Sequence, residues 1–219
     1  TPVDKNGMRD FESISAINVK LFNENLDDLL KGHEVELPTY DFKTGRSMKS
    51  GRKLTLPENG VVVVEGIHGL NPDLYFNVPD QKIYRIYVSA LTALNIDNHN
   101  RISTTDERLL RRMVRDNKYR GHTPVETIRR WPAVRKGEEK NIFPYQENAD
   151  IMFNSSLVYE FSVLKKYAQP LLENIEKSTP EYREVKRLLK FLSFFEEMDD
   201  SIIPPNSILR EFVGGSVFI

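Results

Sequence analysis

The spacing of apolar positions changes period several times along the chain, and each change marks an element. Ile14, Ile17, Leu21, Leu29 and Leu30 recur at helical spacing and Gly32 follows, so residues 13–31 are predicted to form an amphipathic helix stopped by that glycine. Residues 34–40 read as a strand broken at Pro38, and the basic stretch 43–53 as a loop or an exposed hairpin. Four consecutive valines, Val61 to Val64, predict a strand covered on both faces, as in a parallel sheet flanked by helices. Further strands are expected at 83–88 and 149–153. Between these two lies a helix with Leu109, Leu110, Met113 and Val114 on one face. Thr104 and Glu107 fit a capping box at its start. Thr123-Pro124 opens a second, shorter helix. Trp131-Pro132, residues 135–140 and Phe143-Pro144-Tyr145 read either as an elaborated loop beside that helix or, in preference, as a surface connection pinned by aromatics. Long helices at 157–176 and 180–198 follow, the second burying Val185, Leu188, Leu189, Leu192 and Phe195. Strands alternating with helices give an α/β class.

Composition narrows the field. Hydrophobic residues make up 39% and charged residues 29% of the 219, the balance of a globular chain. The longest strongly apolar run is far too short to span a bilayer and no signal-peptide pattern opens the sequence, so no membrane partner is expected. With no cysteine, disulfides and thiolate metal sites are excluded, which fits a reducing cytoplasm.

Charge changes the picture more. The net charge is −1, yet residues 101–136 carry 11 basic and 4 acidic side chains. Such a segment in a neutral chain points to a localised anion site rather than a general nucleic-acid coat. Arg108, Arg111, Arg112 and Arg115 fall on one stripe of the predicted helix, opposite its apolar face, and Arg120-Gly121 follows. Like charges at i,i+4 cost about 0.2–0.5 kcal/mol a pair, and a phosphate oxyanion offsets that cost best. The competing reading is a solvated helix laced with ion pairs. Glu107–Arg111 and Arg112–Asp116 have i,i+4 spacing, whereas Arg108 and Arg115 have no such partner.

The valine run leads into Glu65-Gly66-Ile67-His68-Gly69. A carboxylate at the carboxyl end of a parallel strand stands where α/β folds bind ligands. Glu65 either orients a magnesium-bound water or substrate hydroxyl, or caps the following turn; His68 reads as structural. Tyr40 closes a strand and either faces a substrate or is a buried tyrosine with a satisfied hydroxyl. The segment from Gly45 to Gly51 imitates a phosphate loop but fails it: five residues separate the glycines, and no Gly-Lys-Ser/Thr follows.

Together, strand-Glu65-Gly66, the run Arg108-Leu-Leu-Arg-Arg-Met-Val-Arg-Asp-Asn-Lys-Tyr-Arg-Gly121 and Asn148-Ala-Asp-Ile-Met-Phe153 resemble the phosphoribulokinase/uridine kinase family of P-loop kinases. The stretch from Arg129 to Pro144 resembles its bacterial uridine kinase-like branch. The resemblance covers residues 1–176, implying a kinase domain there and a C-terminal helix and tail at 177–219. It implies a P-loop kinase-like parallel sheet flanked by helices, and ATP- and magnesium-dependent phosphorylation of a hydroxyl on a nucleoside-like substrate. By position, Arg115 and Arg120 match lid arginines that reach the nucleotide phosphates, and Arg112 matches one near the nucleoside. Glu65 matches the carboxylate near magnesium, Glu12 one that holds ribose hydroxyls, and Tyr40 a tyrosine beside the base. Such a reaction needs charge neutralisation and positioning more than covalent chemistry.

The chain departs from the pattern in three places. Gly45 stands where uridine kinases carry a base-reading histidine, and His122 where they carry a lid arginine. The family's Walker A loop, its lysine and its catalytic aspartate have no counterpart; Thr1-Pro2-Val3-Asp4 resembles the sequence just after that aspartate. The central P-loop strand is therefore expected to be absent from this chain, which alone should lack kinase activity and derive from a longer parent. The alternatives are a catalytically dead nucleoside- or nucleotide-binding module and, last, an RNA-binding protein. RNA binding calls for aromatics interleaved with the arginines, and only Tyr119 and Trp131 lie nearby. A homo-oligomer is left open.

Overall fold

The computed structural model describes residues 2, 7, 10, 12–41 and 46–218. Gly45, and most of residues 1–11 with them, fall outside the described residues, so the departure at Gly45 has no structural counterpart here. The chain divides into two compact units, Thr1–Tyr87 with Lys136–Ile151, and Val88–Arg135 with Met152–Ile219.

The first unit is built on α1 (Val19–Leu30) and a hairpin of β1 (Val35–Asp41) and β2 (Arg46–Leu54). Asn18 caps α1 by accepting from the Leu21 N–H, and Gly32, at φ +79°, lets the chain leave the helix in a left-handed turn. Helix periodicity therefore sets the end of α1 correctly, while residues 14–16 form a separate 3₁₀ turn. Asn23 is buried on α1 and ties it to the following segment: its amide donates to Leu74 O at 2.8 Å and its carbonyl accepts from Phe76 N–H at 3.1 Å. The basic stretch resolves as an exposed antiparallel hairpin whose register slips between Glu36 and Pro38. Proline has no N–H to give the ladder, so a slip rather than a break accommodates it.

Val61–Val64 is the clearest departure from the sequence pattern. These valines belong to no strand, and Val61 and Val63 are 82% and 87% exposed. An apolar strand is stabilised only by neighbours that take its hydrogen bonds and cover its faces, and among the described residues none pairs with it.

β3 (Ile86–Ser89) and β4 (Ile151–Asn154) are the two other expected strands, each a few residues later than its pattern indicated. They pair in parallel: Arg85 O accepts from Asp150 N–H at 2.9 Å, and Ser89 O from Ser155 N–H at 2.8 Å. The parallel sheet of the expected α/β class is thus present among the described residues as these two strands. Ile86, Val88, Ile151, Met152 and Phe153 remain roughly half exposed.

The second unit holds the main core. α2 (Thr104–Tyr119), α4 (Glu160–Glu173), α5 (Tyr182–Leu192) and the short α6 (Arg210–Val213) pack around Leu110, Met113, Leu164, Leu172, Leu188 and Leu209, all essentially inaccessible. Phe161, Phe191 and Phe195 meet with ring centroids 4.9–5.1 Å apart, in the offset and edge-on arrangements aromatic rings prefer. α3 (Pro124–Asn141) is longer than its start signal suggested. The Trp131–Lys140 stretch expected to be a surface connection is helical, with Pro132 inside the helix. Burial of Ile128 and Trp131 in the core offsets the backbone bond that the proline forfeits. No helix among the described residues is long and apolar enough to cross a membrane.

Candidate functional site

The N-cap of α2 lies one residue earlier than expected, so the helix already includes Thr104. Ser103, not Thr104, accepts from the Thr105 N–H, and Glu107 leaves the helix start for a buried network. The reciprocal capping box lies on α3 instead, where Thr123 and Glu126 exchange bonds between side chain and backbone.

The arginine stripe is the next correction. Arg111 is 7% exposed and faces the interior rather than solvent. Its guanidinium donates to Ser155 Oγ (3.0 Å), Ser155 O (2.7 Å) and both carboxylate oxygens of Glu160, and lies 3.1 Å from Glu107. Phe212 lies against it, with the ring centroid 5.0 Å from the guanidinium carbon. Two fully buried carboxylates share this one arginine, and Ser156 Oγ donates to the second Glu107 oxygen at 2.8 Å. Burial, reinforced by the charge of Glu160, pushes the Glu107 carboxyl up to about 7, against the opposing pull of Ser156 and Arg111.

The three arginines matched to the nucleotide lid are held differently. Arg112 Nε donates to Asp116 Oδ2 (3.2 Å) and Arg120 Nη1 to Asp116 Oδ1 (3.0 Å). One buried carboxylate therefore gathers two of them at the end of α2, and its backbone carbonyl also accepts from the Arg120 and His122 N–H groups. Arg115 Nη1 donates to Glu211 Oε1 on α6 at 2.8 Å, while its Nε is buried without a hydrogen-bond partner. The i,i+4 pairs Glu107–Arg111 and Arg112–Asp116 were readable from spacing. Glu160 and Glu211 were not, because they arrive from 49 and 96 residues away. His122 lies 3.2 Å from an Arg130 nitrogen through its Nε2.

The other matched residues lie in the first unit. Glu12 is exposed; its N–H donates to Asp10 Oδ1 at 3.1 Å, and its side chain runs so close to Gly137 that a Cβ there would stand 3.3 Å from Glu12 Oε2. Lys140 reaches Asp10 at 3.5 Å. His68 is buried and neither ring nitrogen finds a hydrogen-bond partner. Burial lowers its pKa most; the Glu12 main chain and the Glu12 and Asp10 charges act the other way, and Lys140 adds to the lowering. Tyr40 is 42% exposed near the end of β1, so it is not the buried tyrosine of the alternative reading. Glu65 is exposed, in a segment without regular secondary structure rather than at a strand end. Among the described residues no three His, Asp or Glu side chains gather as a protein-built metal cage requires. A single carboxylate does fit magnesium, which commonly takes one or two and completes its shell with phosphate and water.

Comparison with known proteins places the chain in a family. The model of the phosphoribulokinase/uridine kinase family matches residues 4–161. Uridine kinases of Staphylococcus haemolyticus and Macrococcus caseolyticus are each 33% identical over 138 residues, 63% of this chain and 58% of theirs. The uridine kinase of Staphylococcus aureus strain Newman is 32% identical over the same length. The chain thus spans somewhat over half the length of the curated relatives it matches. With the family's model covering the arginine helix, both strands of the parallel pair and the Glu65 turn, the chain belongs to the phosphoribulokinase/uridine kinase family.

Proposed function

We propose that this chain is the greater part of an ATP-dependent kinase that phosphorylates a hydroxyl of a nucleoside-like substrate. The observation that carries the reading is the clustering of Arg112 and Arg120 on Asp116, with Arg115 on the same helix. A carboxylate that holds two guanidinium groups preorganises them, so that their remaining donors can meet phosphate without a further loss of side-chain freedom. Arg115 and Arg120 would neutralise charge on the transferring phosphoryl group, and Arg112 would meet the acceptor side. Glu12, which is exposed, would accept hydrogen bonds from the sugar hydroxyls, and the exposed Tyr40 ring would stack on a base. Glu65 would hold magnesium, which supplies charge neutralisation on the phosphates.

The 219 residues contain no Walker A loop, so turnover by these residues alone is not expected. A second reading is a module that binds nucleoside or nucleotide without catalysis. RNA binding is disfavoured, because of the two aromatics near the arginines Trp131 is buried in the core and only Tyr119 is exposed for stacking on a base.

The test begins with mass spectrometry of the intact polypeptide, followed by an assay of ATP-dependent nucleoside phosphorylation. Arg115→Ala and Arg120→Ala should each lower kcat/KM for ATP by about 10-fold or more, as loss of a charged phosphate contact does. Unchanged turnover in either variant sinks that residue's lid assignment. Nucleoside binding without turnover selects the second reading.

A further inference from the structure

The ion pair between Arg115 and Glu211 joins the arginine helix to the C-terminal segment. α6 is anchored firmly: Leu209, Phe212 and Val213 are buried, Arg210 donates to Asp200 O (2.8 Å) and Ile203 O (2.6 Å), and Lys118 donates to Val213 O. Gly214 then turns away at φ +89°, where a Cβ would stand 2.9 Å from the Tyr119 hydroxyl and 2.5 Å from Lys118 Nζ. Phe212 lies beneath both guanidinium groups, 5.0 Å from Arg111 and 5.8 Å from Arg115.

The Glu211 side chain differs from this anchor. It is 49% exposed, whereas Arg115 is 28% exposed, so the carboxylate can leave while the guanidinium stays on its aromatic platform. The pair engages Nη1, and Arg115 Nε is buried with no hydrogen-bond partner. A guanidinium with an unused donor beside a single carboxylate contact is incompletely satisfied, and a tetrahedral oxyanion offers more acceptors than Glu211 supplies.

We infer that Glu211 is a built-in stand-in for phosphate: its carboxylate occupies the Arg115 guanidinium until a polyphosphate ligand displaces it, and Phe212 holds that guanidinium in place throughout. The inference rests on the reading of Arg115 as a phosphate-facing arginine and adds a regulation of that site by the chain's own C-terminal segment. The gain is selectivity. A weak or singly charged anion does not outcompete a tethered carboxylate, whereas a triphosphate does, so the site stays neutral and closed to stray anions until its ligand arrives.

Titration of the full chain with inorganic tripolyphosphate at low salt tests this. Glu211→Gln keeps the side-chain shape and removes the charge, and should tighten binding by about two- to fivefold, the range expected when an exposed ion pair no longer has to be broken. Glu173→Gln removes the same charge from a residue that bonds Gln169 rather than Arg115, and should change affinity less. In the wild-type chain, the Arg115 Nε–H resonance, assigned by its loss in Arg115→Lys, should move on addition of tripolyphosphate. This measurement stands even if Glu211→Gln folds poorly. Equal or weaker binding by a folded Glu211→Gln, the same tightening in Glu173→Gln, no binding by any variant, or an Arg115 resonance that stays put at saturation each overturns the stand-in. The parent reading fails separately. If tripolyphosphate displaces Glu211 as expected but the intact protein phosphorylates no nucleoside, the stand-in survives and the kinase reading falls. If phosphorylation proceeds with one ATP KM in wild type and Glu211→Gln, the kinase reading survives and the stand-in falls.

Discussion

The arginine helix and the valine segment invert the usual division between inside and outside in opposite ways. On α2, charged side chains are buried: Glu107 and Arg111 are 0% and 7% exposed, and each charge has a partner. Along Val61–Val64, three of the four apolar side chains, Val61, Val63 and Val64, are exposed. The first inversion is largely met by named partners: Arg111 pairs with both carboxylates, although Glu107 Oε1 has that ion pair and no hydrogen bond. The second is incomplete, since exposed valines next to unpaired backbone gain nothing from being valine. Polarity alone therefore does not tell whether a region is finished; the accounting of partners does.

Breaking the buried-charge network should have the largest effect. Arg111→Ala leaves the Glu107 and Glu160 carboxylates buried without their shared cation, at a cost of about 3–5 kcal/mol. Urea denaturation would show this as a lower midpoint. The variant carrying Arg111→Met, Glu107→Gln and Glu160→Gln together should recover part of the loss, because the methionine fills volume and no charge is left unpaired. No recovery would mean that the packing of Arg111 against Phe212, rather than its charge, sets the cost.

A smaller effect follows from the number of charges in that network. Two carboxylates share one arginine, and burial with the Glu160 charge raises the Glu107 carboxyl from 4.5 to about 7. A carboxyl raised on folding contributes stability that is fully present below about pH 4.5 and lost as pH rises through about 7. The wild-type Tm should accordingly fall between pH 5 and pH 8. Glu107→Gln, which can still accept from Ser156, should flatten that slope and raise the Tm at pH 8 by roughly 2–4 °C, on the order of 1 kcal/mol. Arg111, Glu160, Glu211 and Ser156 all face this network and are unchanged in the variant. An unaltered slope would show that Glu107 is ionised throughout and that the single arginine suffices for both carboxylates.

Sequence pattern reached the first of these regions only in part. The helix, its apolar face and two of its ion pairs follow from spacing, since neighbours at i,i+4 are fixed by helix geometry. That Arg111 points inward was hidden: its stripe is also the arginine stripe, and only Glu160 and Ser155, on a distant segment, decide that it is buried. Glu211 was hidden for the same reason. The extended α3 was missed because Pro132 is an honest break signal that the burial of Trp131 overrides. Among the matched site residues, the lid arginines stood out by charge, whereas Glu12 and Tyr40 carry no local signal and enter only through the family resemblance. His68 read as structural, and its burial fits that reading, but its unpartnered ring leaves its polar atoms unexplained.

The valine segment yields the smallest expected effect and the sharpest test of the comparison. Val63 is 87% exposed, so Val63→Ser should change the stability of this chain by no more than about 0.5 kcal/mol, as surface substitutions away from special features do. The same substitution should also raise solubility, because it interrupts a short, uncharged, strand-forming apolar run. A loss of about 1.5 kcal/mol or more, near the value of a fully buried valine, would mean that the segment is covered in solution. Concentration dependence then identifies the cover: a loss that grows on dilution points to a second copy of the chain, and one independent of dilution points to coverage within the same molecule. In either case, the difference between the two regions would lie in which partners are described rather than in how the residues are used.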